Sequence, residues 1–335
     1  MDTHHNPNRN SSCWIKIDYD SLMSNIQQYA QNAELIDLSP PLFRHIWPYI
    51  EDDVLRAGIK GVISATTPVL LSAGNSFEKI LKPCSRQSDK GYARTGIVPV
   101  ISSISECLAL SNLAQSLDQR MTFLVHVRSC DSDIPSGDWN LESICERVST
   151  LPMIDLAGFY LRFVPQARLF GYFRRLLHSA EAVSQRMICP RSSTSEKQYG
   201  ISHYSLWENL AIDDDAVGSF PLEIGCWAHP VRTGSDYHVF QADIGMLHGI
   251  PANFPVLIAG EPAKIVRVEA DYCEFVVEKP LAGPFPAKAL LTGGSAHQSV
   301  ELREWRMEDL KNLLGHLDNC SIYLKKKSQL IEIIP

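Results

Sequence analysis

The stretch Trp14-Ile15-Lys16-Ile17-Asp18-Tyr19-Asp20-Ser21-Leu22-Met23-Ser24-Asn25-Ile26 changes its hydrophobic period at a single point. Trp14 to Asp18 alternates apolar and polar side chains every second residue, the pattern of a strand. From Tyr19 the apolar positions Leu22, Met23 and Ile26 recur at the spacing of an amphipathic helix. Asp20 is placed to cap that helix with a side-chain oxygen. A strand that runs directly into a helix opens a β-then-α unit.

The same switch recurs through the first two-thirds of the chain. Gly61-Val62-Ile63-Ser64, Ile97 to Ile101, Thr122 to Val127 and Leu156 to Leu161 are short apolar runs of the kind that form parallel strands buried on both faces. Helices are predicted over Ser103 to Ser116, opened by the Ser-x-x-Glu pair Ser103 and Glu106, over Asn140 to Thr150 and over Ala167 to Ser184. Regular alternation without a glycine-rich dinucleotide fingerprint points to a barrel more than to an open doubly wound sheet. After Pro221 short strands separated by Gly and Pro follow: Val239 to Ile244, Val256 to Ile258, Lys264 to Val268, Glu274 to Val277 and Ala289 to Leu291. These predict a small antiparallel β domain. The division expected is a polar terminus over 1–12, a barrel over 13–220 and a β domain over 221–335. Glu301 to Leu310 is a charged amphipathic helix, and Lys325-Lys326-Lys327 reads as a solvated end.

Composition limits the function. The 335 residues are 45% apolar and 21% charged, the balance of a globular protein. Lys and Arg total 31 against 38 Asp and Glu, a net charge of -7, which argues against a nucleic-acid binder. No apolar run reaches the roughly 18 residues of a membrane helix, and Met1 to Ser12 has no hydrophobic leader stretch, so a cytoplasmic address is expected. The nine cysteines are scattered without a Cys-x-x-Cys pair, which predicts reduced, buried thiols and no metal site.

Ile15 to Ile26 resembles the hydrophobic-x-Ile-Asp-x-x-Ala-Leu-x-x-Asn-Ile opening of the alanine racemase family. Farther on, Ala242-Asp243-Ile244-Gly245-Met246-Leu247-His248-Gly249-Ile250-Pro251 stands where that family has Gly-Tyr-x-Asp-Gly-x-Pro, and Val256 to Asp271 resembles its run ending Gly-Arg-Val-x-Met-Asp. The resemblance implies a (β/α)8 barrel followed by a β domain. It also implies a head-to-tail homodimer and pyridoxal phosphate held by a lysine at the end of the first barrel strand.

The residues that this chemistry needs are absent. The corresponding region reads Ala33 to His45, and no lysine lies between Lys16 and Lys60. A lysine from elsewhere, such as Lys82 or Lys90, would need the barrel reordered. Met246 stands at the place of the catalytic tyrosine, and a thioether cannot move a proton. Since deleting a nucleophile or an acid/base costs orders of magnitude in rate, ordinary racemisation is not expected, and no cofactor is assigned.

Two readings stay open. In one, ionisable groups at the barrel mouth perform cofactor-independent isomerase or lyase chemistry on a small amino-acid-like metabolite, drawing on His126, Arg128, Asp131, Asp133, Arg162, His248 and Asp271. Ser193, Thr194 and Ser195, within Ser192 to Ser195, offer hydroxyls and amides to an anion. In the other, the protein is catalytically silent and binds a metabolite or regulates a partner. His126 is then a core histidine, Arg162 an ion-pair partner, and the Asp131/Asp133 segment a solvated loop tip.

Overall fold

The structure, a computed structural model, describes residues 13–31, 33–38, 41–82, 96–127, 141–163, 165, 167–190, 201–205, 222–248, 250, 256–279, 281, 283, 285–292, 320–327 and 329–333. The period change is where the sequence puts it: β1 (Cys13–Asp18) runs into α1 (Tyr19–Ala30). The cap is one element earlier than expected. Asp18 Oδ1, not Asp20, accepts from Ser21 N at 2.9 Å, because the capping position is the last extended residue.

The chain divides into two compact units, residues 26–39 with 47–206 and residues 1–25, 40–46 and 207–335. In the first unit eight parallel strands close a barrel in chain order: β2 (Leu35–Asp37), β3 (Gly61–Ser64), β4 (Glu78–Leu81), β5 (Ile97–Ile101), β6 (Met121–Val127), β7 (Ile154–Leu161), β8 (Arg186–Pro190) and β9 (Ile201–Ser205). β9 pairs back onto β2, which closes the ring. Helices α2 (Pro41–Arg56), α3 (Thr67–Ser72), α4 (Ile104–Ser116), α5 (Leu141–Val148) and α6 (Ala167–Ser179) alternate with the strands. Ser103 caps α4, its hydroxyl accepting from Glu106 N at 3.2 Å, as the Ser-x-x-Glu pair predicts. Leu110 and Ala114 of α4, Ile144 and Val148 of α5 and Phe173 and Leu177 of α6 share one buried core with Phe123, Val125 and Phe159.

Inside the barrel Leu35, Ile63, Ile80, Val100, Leu124, Ala157, Tyr160 and Ile188 form a second apolar cluster, drawn from seven strands with two residues from β7. Two residues toward the amino ends of their strands, Glu78 and Arg186 pair across the barrel, with Arg186 Nη2 donating to Glu78 Oε2 at 2.6 Å and Nη1 to Oε1. Gly158 makes the β7–β8 approach possible. A Cβ there would lie 2.0 Å from the Arg186 carbonyl oxygen, and its φ of 154° disfavours other residues.

The second unit is a nine-stranded sheet in the order β11-β14-β13-β12-β15-β10-β1-β16-β17, with β11 also pairing β10. Its remaining strands are β10 (Leu222–Thr233), β11 (His238–Ala242), β12 (Val256–Ile258), β13 (Glu261–Val268), β14 (Cys273–Val277), β15 (Ala287–Thr292), β16 (Ser321–Lys326) and β17 (Gln329–Ile333). One expectation needs correction here. The barrel does not begin at residue 13: β1 pairs antiparallel with β10 and parallel with β16. Its alternating burial is that of a strand with one half-open face, whereas β2 and β3 are buried throughout. The Lys325 to Lys327 run is exposed, as expected of a solvated segment. Lys325 and Lys326 belong to β16, Lys325 Nζ lies 3.5 Å from Asp18, and Lys326 Nζ sits 4.0 Å from the centre of the Tyr19 ring. The Glu301 to Leu310 segment lies outside the described residues.

Burial raises the Asp18 carboxyl, but its bonds from Ser21 and the nearby Lys325 outweigh this and hold it below the ordinary carboxylate value. Such a group stabilises the fold above the unfolded value of about 3.9 and loses that contribution as pH falls through its lower folded value. Asp18→Asn keeps a capping oxygen and removes the charge. Urea melts are expected to find it less stable than the native protein at pH 7, with the difference shrinking as pH falls below about 3.9 and through the lower folded value; a difference undiminished at pH 2 would contradict the charge assignment. Gly158→Ala is expected to cost about 3 kcal/mol in the same assay, since backbone must shift to admit the methyl group.

Candidate active site at the barrel mouth

Strand periodicity decides what the carboxyl end of the barrel presents. Side chains two residues apart share a face, so the positions beyond the interior cluster on successive strands also point inward. Beyond Leu35 stands Asp37, beyond Ile80 Lys82, beyond Val100 Ser102 and beyond Leu124 His126, while Tyr160 belongs to the cluster itself. Carboxyl-end positions on barrel strands are where barrel enzymes place their chemistry.

These residues contact one another in two groups. Lys82 Nζ donates to Asp37 Oδ2, joining the third barrel strand to the first, and the Lys82 backbone N–H bonds to Ser64 O at 2.8 Å. The Asp37 side chain is 3% exposed and that of Lys82 24%. In the second group Ser102 Oγ lies 3.3 Å from His126 Nδ1. His126 is 2% exposed and stacks obliquely on Tyr160, its partner across β6 and β7, with ring centres 5.9 Å apart. Ser102 is itself held, because its N–H donates to the Glu106 carboxylate that reaches back from the first turn of α4. The helix cap therefore sets the serine that faces the histidine.

Of the residues proposed from sequence, His126 and Arg162 lie at adjoining ends of β6 and β7, and the Arg162 N–H bonds to Val127 O at 3.3 Å. Arg162 is exposed. His248 ends the 3-10 turn Met246–His248 of the second unit. That turn lies against the Glu269–Tyr272 segment, with Met246 N on Glu269 O at 2.8 Å and Leu247 N on Ala270 O at 2.9 Å, which brings the backbones near His248 and Asp271 side by side. Gly245 is required there, since a Cβ would meet Glu269 O at 2.3 Å. Asp271 is exposed at its turn, and Met246 is 60% exposed. Arg128, Asp131, Asp133, Ser193, Thr194 and Ser195 lie outside the described residues.

Asp37, Ser102 and Tyr160 are members that sequence reasoning missed, and Lys82 it set aside. A signal exists for each: the residue two beyond an inward apolar position at the end of a strand. Reading it requires the strand ends, and β2 and β4 are too short for hydrophobic period alone to find them. The described thiols near the barrel take no part. Burial raises Cys107 and Cys145 to about 12 and Cys189 to about 11, which leaves them as protonated core residues at neutral pH.

No family model and no curated protein matches the chain. Solved structures do. The alanine racemase of Clostridium difficile 630 is 14% identical with a TM-score of 0.73, over 96% of this chain and 98% of that one. The alanine racemase of Bacillus anthracis, solved with bound L-Ala-P, is 14% identical with a TM-score of 0.72 over 96% and 97%. That of Bartonella henselae, with covalently bound pyridoxal phosphate, is 12% identical with a TM-score of 0.71 over 93% and 99%. The chain has the fold of these proteins.

Glu106→Ala is expected to free Ser102 and shift the imidazole resonances of His126 in ¹H–¹⁵N spectra, while Ser116→Ala at the other end of α4 leaves them unmoved. Unchanged His126 resonances in Glu106→Ala would show that the cap does not orient the serine.

Proposed function

We propose that the protein is an enzyme of the alanine racemase fold whose barrel mouth carries out proton-transfer chemistry, of isomerase or lyase type, on a small amino-acid-like metabolite without a covalently held coenzyme. The observation that carries this reading is His126: an imidazole on the inner face of a barrel strand, at its carboxyl end, with one ring nitrogen engaged by a serine hydroxyl. A histidine oriented through one nitrogen has the other aimed in a fixed direction, as a general acid or base requires. Arg162 at the adjoining strand end offers a guanidinium to the metabolite's carboxylate. Asp131 and Asp133, on the segment after β6, are the pool for the second acid/base, and Ser193, Thr194 and Ser195 for an anionic group. The protein acts as a homodimer in the reducing cytoplasm, to which its buried free thiols are suited.

Pyridoxal phosphate, bound covalently in the Bartonella henselae relative, requires a primary amine free to attack its aldehyde. The described residues at the end of the first barrel strand do not fit that requirement. The first barrel strand ends in the Asp37 carboxylate, and the amine that reaches the same place, Lys82, is engaged by it. Met246 adds no acid/base group.

The second reading is a catalytically silent protein that binds a metabolite or regulates a partner. The near-complete burial of His126 favours it, since a reacting group must meet its substrate.

The two readings separate in D₂O. The protein, with no coenzyme added, is incubated with a panel of L- and D-amino acids while the α-proton signals are followed by NMR. Exchange is expected for at least one of them, falling at least about 100-fold in His126→Asn and about 10-fold in Ser102→Ala. Thermal stabilisation by a metabolite without any exchange would establish the silent reading instead.

A further inference from the structure

Four of the described thiols gather in the core of the second unit, all of them free and buried. The register of β1 with β10 sets Cys13 opposite Cys226. On the other side of β1 the parallel register with β16 begins at Trp14 and Ser321, which places Cys320 beside Cys13 one step back. Cys273 of β14 comes near Cys226. Within this group the Cys13 and Cys320 thiols share a hydrogen bond. Both sit at strand ends, Cys13 as the first residue of β1 and Cys320 as the residue before β16, whereas Cys226 lies inside β10.

We infer that Cys13 and Cys320 form an oxidation site, which a low-molecular-weight disulfide converts into a covalent tie between β1 and β16. Neighbouring strands lie about 4.8 Å apart, inside the roughly 4.4–6.8 Å that a disulfide spans between Cα atoms, and thiols in hydrogen-bond contact already face each other. The bond therefore forms within the sheet as it stands. The hydrogen bond to Cys320 and burial push the Cys13 thiol well above the ordinary cysteine value. In the closed sheet it stays protonated, and attack begins as the strand ends open, which ends do more readily than strand middles. One cysteine sulfur gives up its proton and attacks the small disulfide, breaking that S–S bond and expelling one thiolate. The second cysteine sulfur gives up its proton, attacks the mixed disulfide and expels the other thiolate. The expelled thiolates take up the two protons, so the protein is oxidised by two electrons and the reagent leaves as two thiols. The new bond joins residues 307 apart in the sequence, a long loop whose restriction in the unfolded chain favours the folded state. It involves no residue of the barrel mouth and is independent of whether His126 moves protons.

The test incubates the full chain with oxidised glutathione, blocks the remaining thiols with N-ethylmaleimide in denaturant, and maps peptides digested without reductant by mass spectrometry. A pair of peptides joined through Cys13 and Cys320 is expected, at least about 10-fold more abundant than any pair joined through Cys13 and Cys226. Dithiothreitol is expected to remove it. The oxidised protein is expected to unfold at a higher urea concentration than the reduced one, Cys320→Ser to lose both the link and this difference, and Cys226→Ala to keep both. Cys13 and Cys320 recovered unlinked from the native protein, or Cys13 joined to Cys226 instead, would overturn the site without recourse to any variant. A Cys13–Cys320 link that leaves the urea midpoint unchanged would overturn its role as a tie between the strands. The deuterium-exchange experiment contains no oxidant, so failure of the oxidation site and failure of the proton-transfer reading are separately visible.

Discussion

A ring of eight parallel strands has one inside, and alternate residues of every strand must enter it. This steric constraint orders the first unit from end to end. At the amino end the inward positions hold the Glu78–Arg186 pair, in the middle the apolar cluster from Leu35 to Ile188, and at the carboxyl end Asp37, Lys82, Ser102 and His126. Closure in turn depends on close backbone approach, which is why Gly158 lies where β7 meets β8. A side chain there would separate the strands that carry Tyr160 and Arg186.

Two ion pairs lie on the inner face, and they differ in consequence. Arg186 and Glu78 meet in the fork geometry that satisfies a guanidinium and a carboxylate together, which suits a structural tie. Lys82 meets Asp37 through a single donor, at the end of the barrel where chemistry is done. Breaking a covered pair by removing one partner leaves the other uncompensated. In the first case that would remove a tie across the barrel, and in the second the contact that joins the first and third barrel strands at the mouth.

Local structure reaches into the mouth through α4. Ser103 and Glu106 form a helix-opening pair of ordinary kind, except that the glutamate carboxylate bonds the N–H of Ser102, one residue before the cap. A device that satisfies orphan amides at a helix start thereby fixes the residue that faces His126. In the second unit, Asp18 does comparable double duty, ending β1, capping α1 and pairing with Lys325 of the neighbouring strand.

The amino-acid sequence by itself determined the alternation of strand and helix, the antiparallel character of the last third, the start of α4 and the nature of His126 as a candidate, because each depends on hydrophobic period or side-chain type over a few neighbouring residues. It also determined what is missing, since the absence of lysine from 17 to 59 is a fact of composition. Only the tertiary structure decided that β1 leaves the barrel to pair with one strand 211 residues away and another 307 away, counted from Trp14 to Gly225 and to Ser321, because strand pairing is non-local and the period of a strand does not name its partner. The same holds for Asp37 and Lys82, 45 residues apart in sequence. Barrel closure brings them together, and no pattern within either strand records it.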